Sequence, residues 1–514
     1  MTLGRTRAVA LIGITGAVVD VEADVGSGLP AFNVSGLPDT ACLQSPDRIK
    51  AAAGNSGVDI RRHRTTVNLS PASLPKSGSG FDLPIAVAVL AAAGHLPQDR
   101  VGDVVHLGEL GLDGSVRPVP GILPAVLAAS RDGFREVVVP EANLAEARLA
   151  PGVRVHGAAD LVGLIARYTG SAPPPEQDRA AEPPTPVTSL GESLPDLRDV
   201  AGQTEARLAL EIAAAGRHHM CMVGAPGAGK TMLAERLPGL LPPLEPQEAL
   251  EVTAIHSVLG DFRRASAMVR RPPFEAPHHG ASMAAMVGGG GGRLIRPGAV
   301  SRAHHGVLFL DETPEFRRDV LEALRQPVER GCVVVARAEQ VVQYPARFQL
   351  VLAANPCPCG HGYGKGVDCS CSPSALRRYR SKLGGPLLDR VDLQLEVRPV
   401  SRTDLAAGPG EPSRAVAARV ASARQRQADR LRGTPWSVNG DVPGAELREG
   451  DLRLPRRTTA DLDRALERGL LSLRGYDRVL RLAWTLADLG KRDRPGVEEV
   501  GRALALRTRG VRAA

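Results

Sequence analysis

Aromatic side chains are scarce in this sequence. Phe, Trp and Tyr make up 3% of 514 residues, with two tryptophans. Cores must therefore be filled by Val, Leu, Ala and Ile, which argues against the aromatic stacking platforms that hold single-stranded nucleic acid in other proteins. Cysteine is sparse as well, and seven residues in a chain this long do not make a disulfide framework. Apolar runs of membrane length are missing: Leu83–Gly94 falls well short of the roughly 20 residues a span requires. Met1–Val19 has two arginines ahead of apolar residues, like a signal peptide. It is broken by Gly13, Thr15 and Gly16, then alternates with Asp20, Glu22 and Asp24, which suits a strand pair better. The expectation is a soluble, cytoplasmic protein with no membrane partner.

What is present is 43% hydrophobic residues, enough for sizeable cores, on a chain long enough for about three domains. The net charge of +8 permits a polyanionic partner without requiring one. Strand-like runs (Ala8–Ile14, Val18–Ala23, Thr65–Leu69, Val104–Leu107, Glu136–Val139) and helical patterns at Leu83–Ala93 and Ile122–Arg131 predict a mixed α/β domain over residues 1–170. Prolines at 173–175, 183, 184 and 186 mark an extended linker, 171–195.

The most informative stretch is His219–Thr231. An apolar strand, Met220–Val223, runs into Gly224, Ala225, Pro226, Gly227, Ala228, Gly229, Lys230 and Thr231, which match G-x-x-x-x-G-K-[ST] at every fixed position. In such a loop backbone N–H groups surround a phosphate chain, the lysine reaches the β- and γ-phosphates, and the hydroxyl holds Mg²⁺. ATP and Mg²⁺ are thus the expected cofactors. About 80 residues on, Gly306–Leu310 is a buried strand ending in Asp311 and Glu312. Asp311 completes the Mg²⁺ environment and Glu312 polarises the attacking water. Asp199 is a candidate helix cap before Thr204.

Further along, Cys357-Pro358-Cys359 and Cys369-Ser370-Cys371 form a C-x-C-x₉-C-x-C cluster in a glycine-rich loop. Four thiolates in a small loop can close a tetrahedral Zn²⁺ site; four reduced thiols is the other reading. Three adjacent His pairs (218–219, 278–279, 304–305) are poor chelates, since neighbours on a strand point oppositely.

Several stretches carry resemblances. Lys76–Pro84 and Gly108–Gly121 resemble the proteolytic domain of Lon-type proteases, whose fold is ribosomal S5-like α+β. Aligned on Lys76, the nucleophile position falls on Gly80, with Ser79 one place early. Aligned on the Pro118–Gly121 turn, the lysine position falls on Leu123, so protease activity is not expected. Phe348–Pro356 resembles the sensor-1 strand of AAA+ ATPases, with Asn355 positioning water. Gly385–Leu393 resembles the segment carrying an arginine finger, Arg390, which taken alone would instead pair with Asp389 or Asp392. Ser472–Ala483 resembles the start of an AAA+ helical lid, with Arg474 at sensor 2 and Arg478 as the alternative. The insertions through Val287–Gly292 and the hairpin Gly331–Ala346, with Arg337 near its tip, are similar to the magnesium-chelatase and replicative-helicase branch.

Together these identify the chain as resembling the ComM/YifB family of magnesium-chelatase-like ATPases. The resemblance implies a Lon-like domain (1–170), an AAA+ P-loop core (196–400) and a carboxy-terminal helical lid (401–514). It further implies ATP hydrolysis by a nucleotide-dependent ring of identical copies, a hexamer, acting on DNA as a branch-migration or helicase-type motor in recombination or natural transformation. The alternative is a chelatase-like remodeller acting on a protein partner.

Overall fold

The computed structural model describes residues 3–171, 194–261, 267–290, 295–336, 341–362, 368–383, 385–406 and 408–512. Most of the expected linker, part of the glycine run and Arg337 therefore lie outside the described residues.

Alternating side chains on the first hairpin explain the amino-terminal half. Gly4–Ile12 pairs antiparallel with Thr15–Gly26, Ile12 opposite Thr15. Ala8 and Ala10 face one way, onto the helix Asp82–Ala92; Val9 and Leu11 face the other, towards Ile122–Arg131. The helix Asp82–Ala92 is buried on every side, which is why it reads as one apolar run without an amphipathic stripe. The hairpin sits inside a seven-stranded mixed sheet. Its order is Ala31–Ser35, Arg64–Ser70, Thr15–Gly26, Gly4–Ile12, Val105–His106, Glu136–Pro140, Arg154–Ala158. The edge strands Ala31–Ser35 and Arg154–Ala158 were not anticipated, because half-exposed edge strands lack a clean alternation.

Here the Lon-like resemblance meets a different arrangement of side chains. Ser79 Oγ donates to the Glu109 carboxylate, the buried Lys76 Nζ donates to the Pro71 carbonyl, and Leu123 is fully buried in the core.

The second half is built on a five-stranded sheet, parallel throughout, ordered Phe274–Glu275, Val307–Leu310, Gln349–Ala354, Met220–Gly224, Leu393–Val397. The central three strands are buried or nearly so along their length, as parallel strands covered on both faces must be. Thr204–Gly216, Ser413–Arg430, Leu473–Leu489 and Val497–Arg512 contribute to one continuous core with it. Trp484 lies fully buried there, its indole donating to Leu452 O, with Arg430 stacked 4.5 Å from its ring. The helix Thr204–Gly216 begins at Gln203 with no side-chain cap. The acceptor role expected of Asp199 belongs to Asp196 instead, which receives Arg198 N and Ser413 N and so ties the entry turn to a distant helix.

The halves meet through main chain and side chains. Gly121 N donates to Ser257 O at 3.0 Å. The buried Glu146 receives Leu123 N and Ser257 Oγ, and burial raises its pKa against those hydrogen bonds. Ile12 and Ile14 pack on Ile295, Val342 and Tyr344. Gly13 is required at that crossing: its φ is +68° and a Cβ would lie 2.8 Å from Val342.

Candidate nucleotide site

The loop after Met220–Gly224 turns through Gly227 and Gly229, at φ +75° and +88°, into the helix Lys230–Arg236. Only glycine enters that region without cost, so the turn can close tightly over its own backbone. Gly224, Ala225, Pro226, Gly227, Ala228 and Gly229 line the bend, and Lys230 folds back into it. The Lys230 ammonium donates to Gly224 O at 2.8 Å, Ala225 O at 3.0 Å and Asn355 Oδ1 at 3.0 Å. Burial pulls its pKa down, against the opposing pull of Asp311 and Glu312. A cation held half out of water by neutral oxygens is well placed to take a phosphate in their stead.

Thr231 Oγ1 donates to Asp311 Oδ2 at 2.7 Å. A hydroxyl and a carboxylate oxygen side by side are the hard donors Mg²⁺ prefers, so the pair fits that ion. Asp311 Oδ1 receives Glu312 N at 2.8 Å. Glu312 itself adopts φ +48°, a left-handed conformation that strains a residue with a Cβ. Thr313 Oγ1 pins this kink, donating to Leu310 O and Ala353 O and so joining the Asp311 and Asn355 strands at their ends. The Glu312 carboxylate lies 3.1 Å from His279 Nδ1, and that ring stands edge-on to Phe316.

Arg390 and Arg474 lie elsewhere. Arg390 is 7% exposed and pairs with Glu329 at 2.5 Å; its Nη1 donates to Pro386 O, and its Nε has no partner among the described residues. Arg474 reaches the same Glu329 at 3.8 Å. Neither Asp389 nor Asp392 is the partner of Arg390. Asp392 is taken by Arg478 at 2.6 Å and by His219 N at 2.9 Å, which commits Arg478 to a buried ion pair. Both Arg390 and Arg474 line a cavity of about 510 Å³ with Arg217, Arg347, Arg478 and Arg481.

Sheet topology fixes the relation between the two places. His219 and Asp392 precede the adjacent parallel strands Met220–Gly224 and Leu393–Val397, so the arginine cavity is at the amino edge of the sheet. The P-loop leaves the carboxyl edge. Five residues at 3.3 Å each separate the edges by ~16 Å.

Residues 196–405 match the family model for magnesium chelatase, subunit ChlI. Residues 21–143 match that for subunit ChlI of Mg-chelatase, and 410–507 that for its C-terminal part. The competence protein ComM of Haemophilus influenzae is 38% identical over 95% of this chain and 94% of its own length. The uncharacterized protein YifB of Escherichia coli is 39% identical over 96% and 94%. The chain belongs to the ComM/YifB family. An uncharacterized protein of Mycobacterium tuberculosis is 51% identical over the full length of both chains. The likeness to Lon protease is partial: that of Chloroflexus aurantiacus is 27% identical over 26% of this chain.

This ComM/YifB chain also carries the four-cysteine loop directly after Asn355. Its sulfurs all lie within 4.8 Å of one another, and Cys357 is buried. Two acidic and basic partners escaped sequence reasoning. His279 was set aside with its neighbour as a poor chelate, yet it faces Glu312. Glu329, which joins Arg390 to Arg474, sits on a short helix with no motif to flag it. Among the described residues no helix is long and apolar enough to cross a membrane.

Proposed function

We propose that this chain hydrolyses ATP with Mg²⁺ at sites shared between neighbouring copies in a ring, a hexamer, and uses the cycle to move along DNA during recombination. One observation carries the reading. Arg390 and Arg474 stand together at the sheet edge opposite the P-loop, a strand length from any phosphate bound in their own copy. They serve a triphosphate held by the next copy.

Within each site Lys230 and the loop Gly224–Gly229 bind the phosphates, and Thr231 and Asp311 hold the Mg²⁺, which supplies neutralisation of the phosphate charge. Glu312 orients and deprotonates the attacking water, Asn355 positions it, and the partner copy's Arg390 and Arg474 balance charge on the transferred group. His279 holds Glu312 in place until the water arrives. The DNA track is supported by the net charge of +8 and by a relative named for competence.

ATPase rates measured with duplex, single-stranded and branched DNA, and with none, test the track. Stimulation by branched or single-stranded DNA that falls as salt rises is expected. Rates indifferent to every DNA would overturn the DNA reading and favour action on a protein.

A further inference from the structure

The cysteine loop is wired into the nucleotide site at three points. Its first cysteine, Cys357, is two residues past Asn355, whose amide oxygen receives the P-loop lysine. Gly360, at φ +80°, lies so close to Pro226 of the P-loop that a Cβ there would stand 2.6 Å from the proline ring. After the last cysteine the chain enters the helix Pro373–Lys382. That helix packs on the turn Thr313–Glu315 behind Glu312.

The sulfurs are arranged for a metal rather than for disulfides. Cys357 and Cys359 Sγ are 3.3 Å apart, and Cys369 Sγ is 3.7 Å from each. All four cysteines are free. A tetrahedral zinc ion bonded at about 2.3 Å to each sulfur sets sulfur pairs about 3.8 Å apart. Cys357 Sγ also accepts Gly362 N at 3.0 Å, as a thiolate would. Cys371 immediately precedes Ser372, the cap of the ten-residue helix Pro373–Lys382, whose amino end favours the net negative charge of a zinc tetrathiolate.

We propose that Cys357, Cys359, Cys369 and Cys371 bind one zinc ion, and that this knot is a strut holding Asn355 and Pro226 in register for hydrolysis. Zinc displaces a proton from each thiol not already ionised and undergoes no redox change. The cysteines are positioning residues, acting through Asn355. The second half of the proposal rests on the ATPase reading; the first does not.

The test is the metal content of the purified full-length chain, together with ATPase and nucleotide affinity of Cys371→Ser and Cys371→His. The parent is expected to carry about one zinc per chain, released by a mercurial thiol reagent. C371S should lose zinc and about tenfold in kcat, with nucleotide affinity within about threefold of the parent. C371H, a competent zinc ligand, should regain both metal and rate. A parent chain with no zinc that also takes none from added ZnCl2, or one whose four cysteines are found as disulfides, overturns the metal site. Zinc-free C371S with parental kcat overturns the strut. A parent that holds zinc yet hydrolyses nothing upholds the metal site and overturns the ATPase reading instead.

Discussion

At the scale of single residues, the proposed roles divide into binding and reacting groups. Lys230 is held by Gly224 O, Ala225 O and Asn355 Oδ1, and Thr231 by Asp311, where the proposed phosphates and Mg²⁺ would be engaged. The Glu312 carboxylate stands apart from these contacts: it faces His279, on a residue in a strained backbone conformation. Glu312→Gln should therefore leave nucleotide binding near parental and lower kcat by about 10²–10⁴, the range for removing a general base. Single-turnover hydrolysis beside a binding titration checks this; equal loss of binding would contradict the division of roles. Lys230 and Thr231 were legible in the sequence because the P-loop motif is local, and Asp311 because it ends an apolar strand of its own. His279 was not, because its partner lies 33 positions away and only the sheet brings them together.

At the scale of elements, Asp392 clamps the amino ends of two strands and a helix. It is 1% exposed and accepts His219 N before one strand, lies itself before the next, and pairs with Arg478 on Leu473–Leu489. Burial works against its ionisation, but Arg478 and His218 outweigh it and hold its pKa well below the usual carboxylate range. Asp392→Asn leaves Arg478 buried without a counter-charge and should cost about 3–5 kcal/mol. Denaturant unfolding at neutral pH measures it; a loss below about 1 kcal/mol, the value of a surface pair, would contradict the clamp. Periodicity gave these elements well where one face was consistently apolar, as in Ile122–Arg131, found at the predicted bounds. It missed Ser45–Asn55, where a polar, Gly-containing composition blurs the apolar face.

At the scale of the whole molecule, the P-loop and the Arg390–Arg474 pair stand at opposed edges of one parallel sheet. The order of motifs along the chain was readable, but not which edge each one reaches. That depends on Asn355's strand slotting between those of Lys230 and Asp311, and on Arg474's helix docking at the amino edge. Glu329 was hidden for the same reason: Asp389 and Asp392, the alternative partners of Arg390, are near it in sequence, whereas Glu329 is near in space.

The most direct measurement mixes two variants, Lys230→Ala and Arg390→Ala, each expected to hydrolyse ATP poorly alone. In mixed rings, an intact P-loop from the R390A chain can face an intact Arg390 from the K230A chain. Random assembly should return activity at about a quarter of the interfaces. Recovery of that order upon mixing is the predicted result; no recovery over the separate variants, or a parental rate in Arg390→Ala alone, would contradict a site shared between copies.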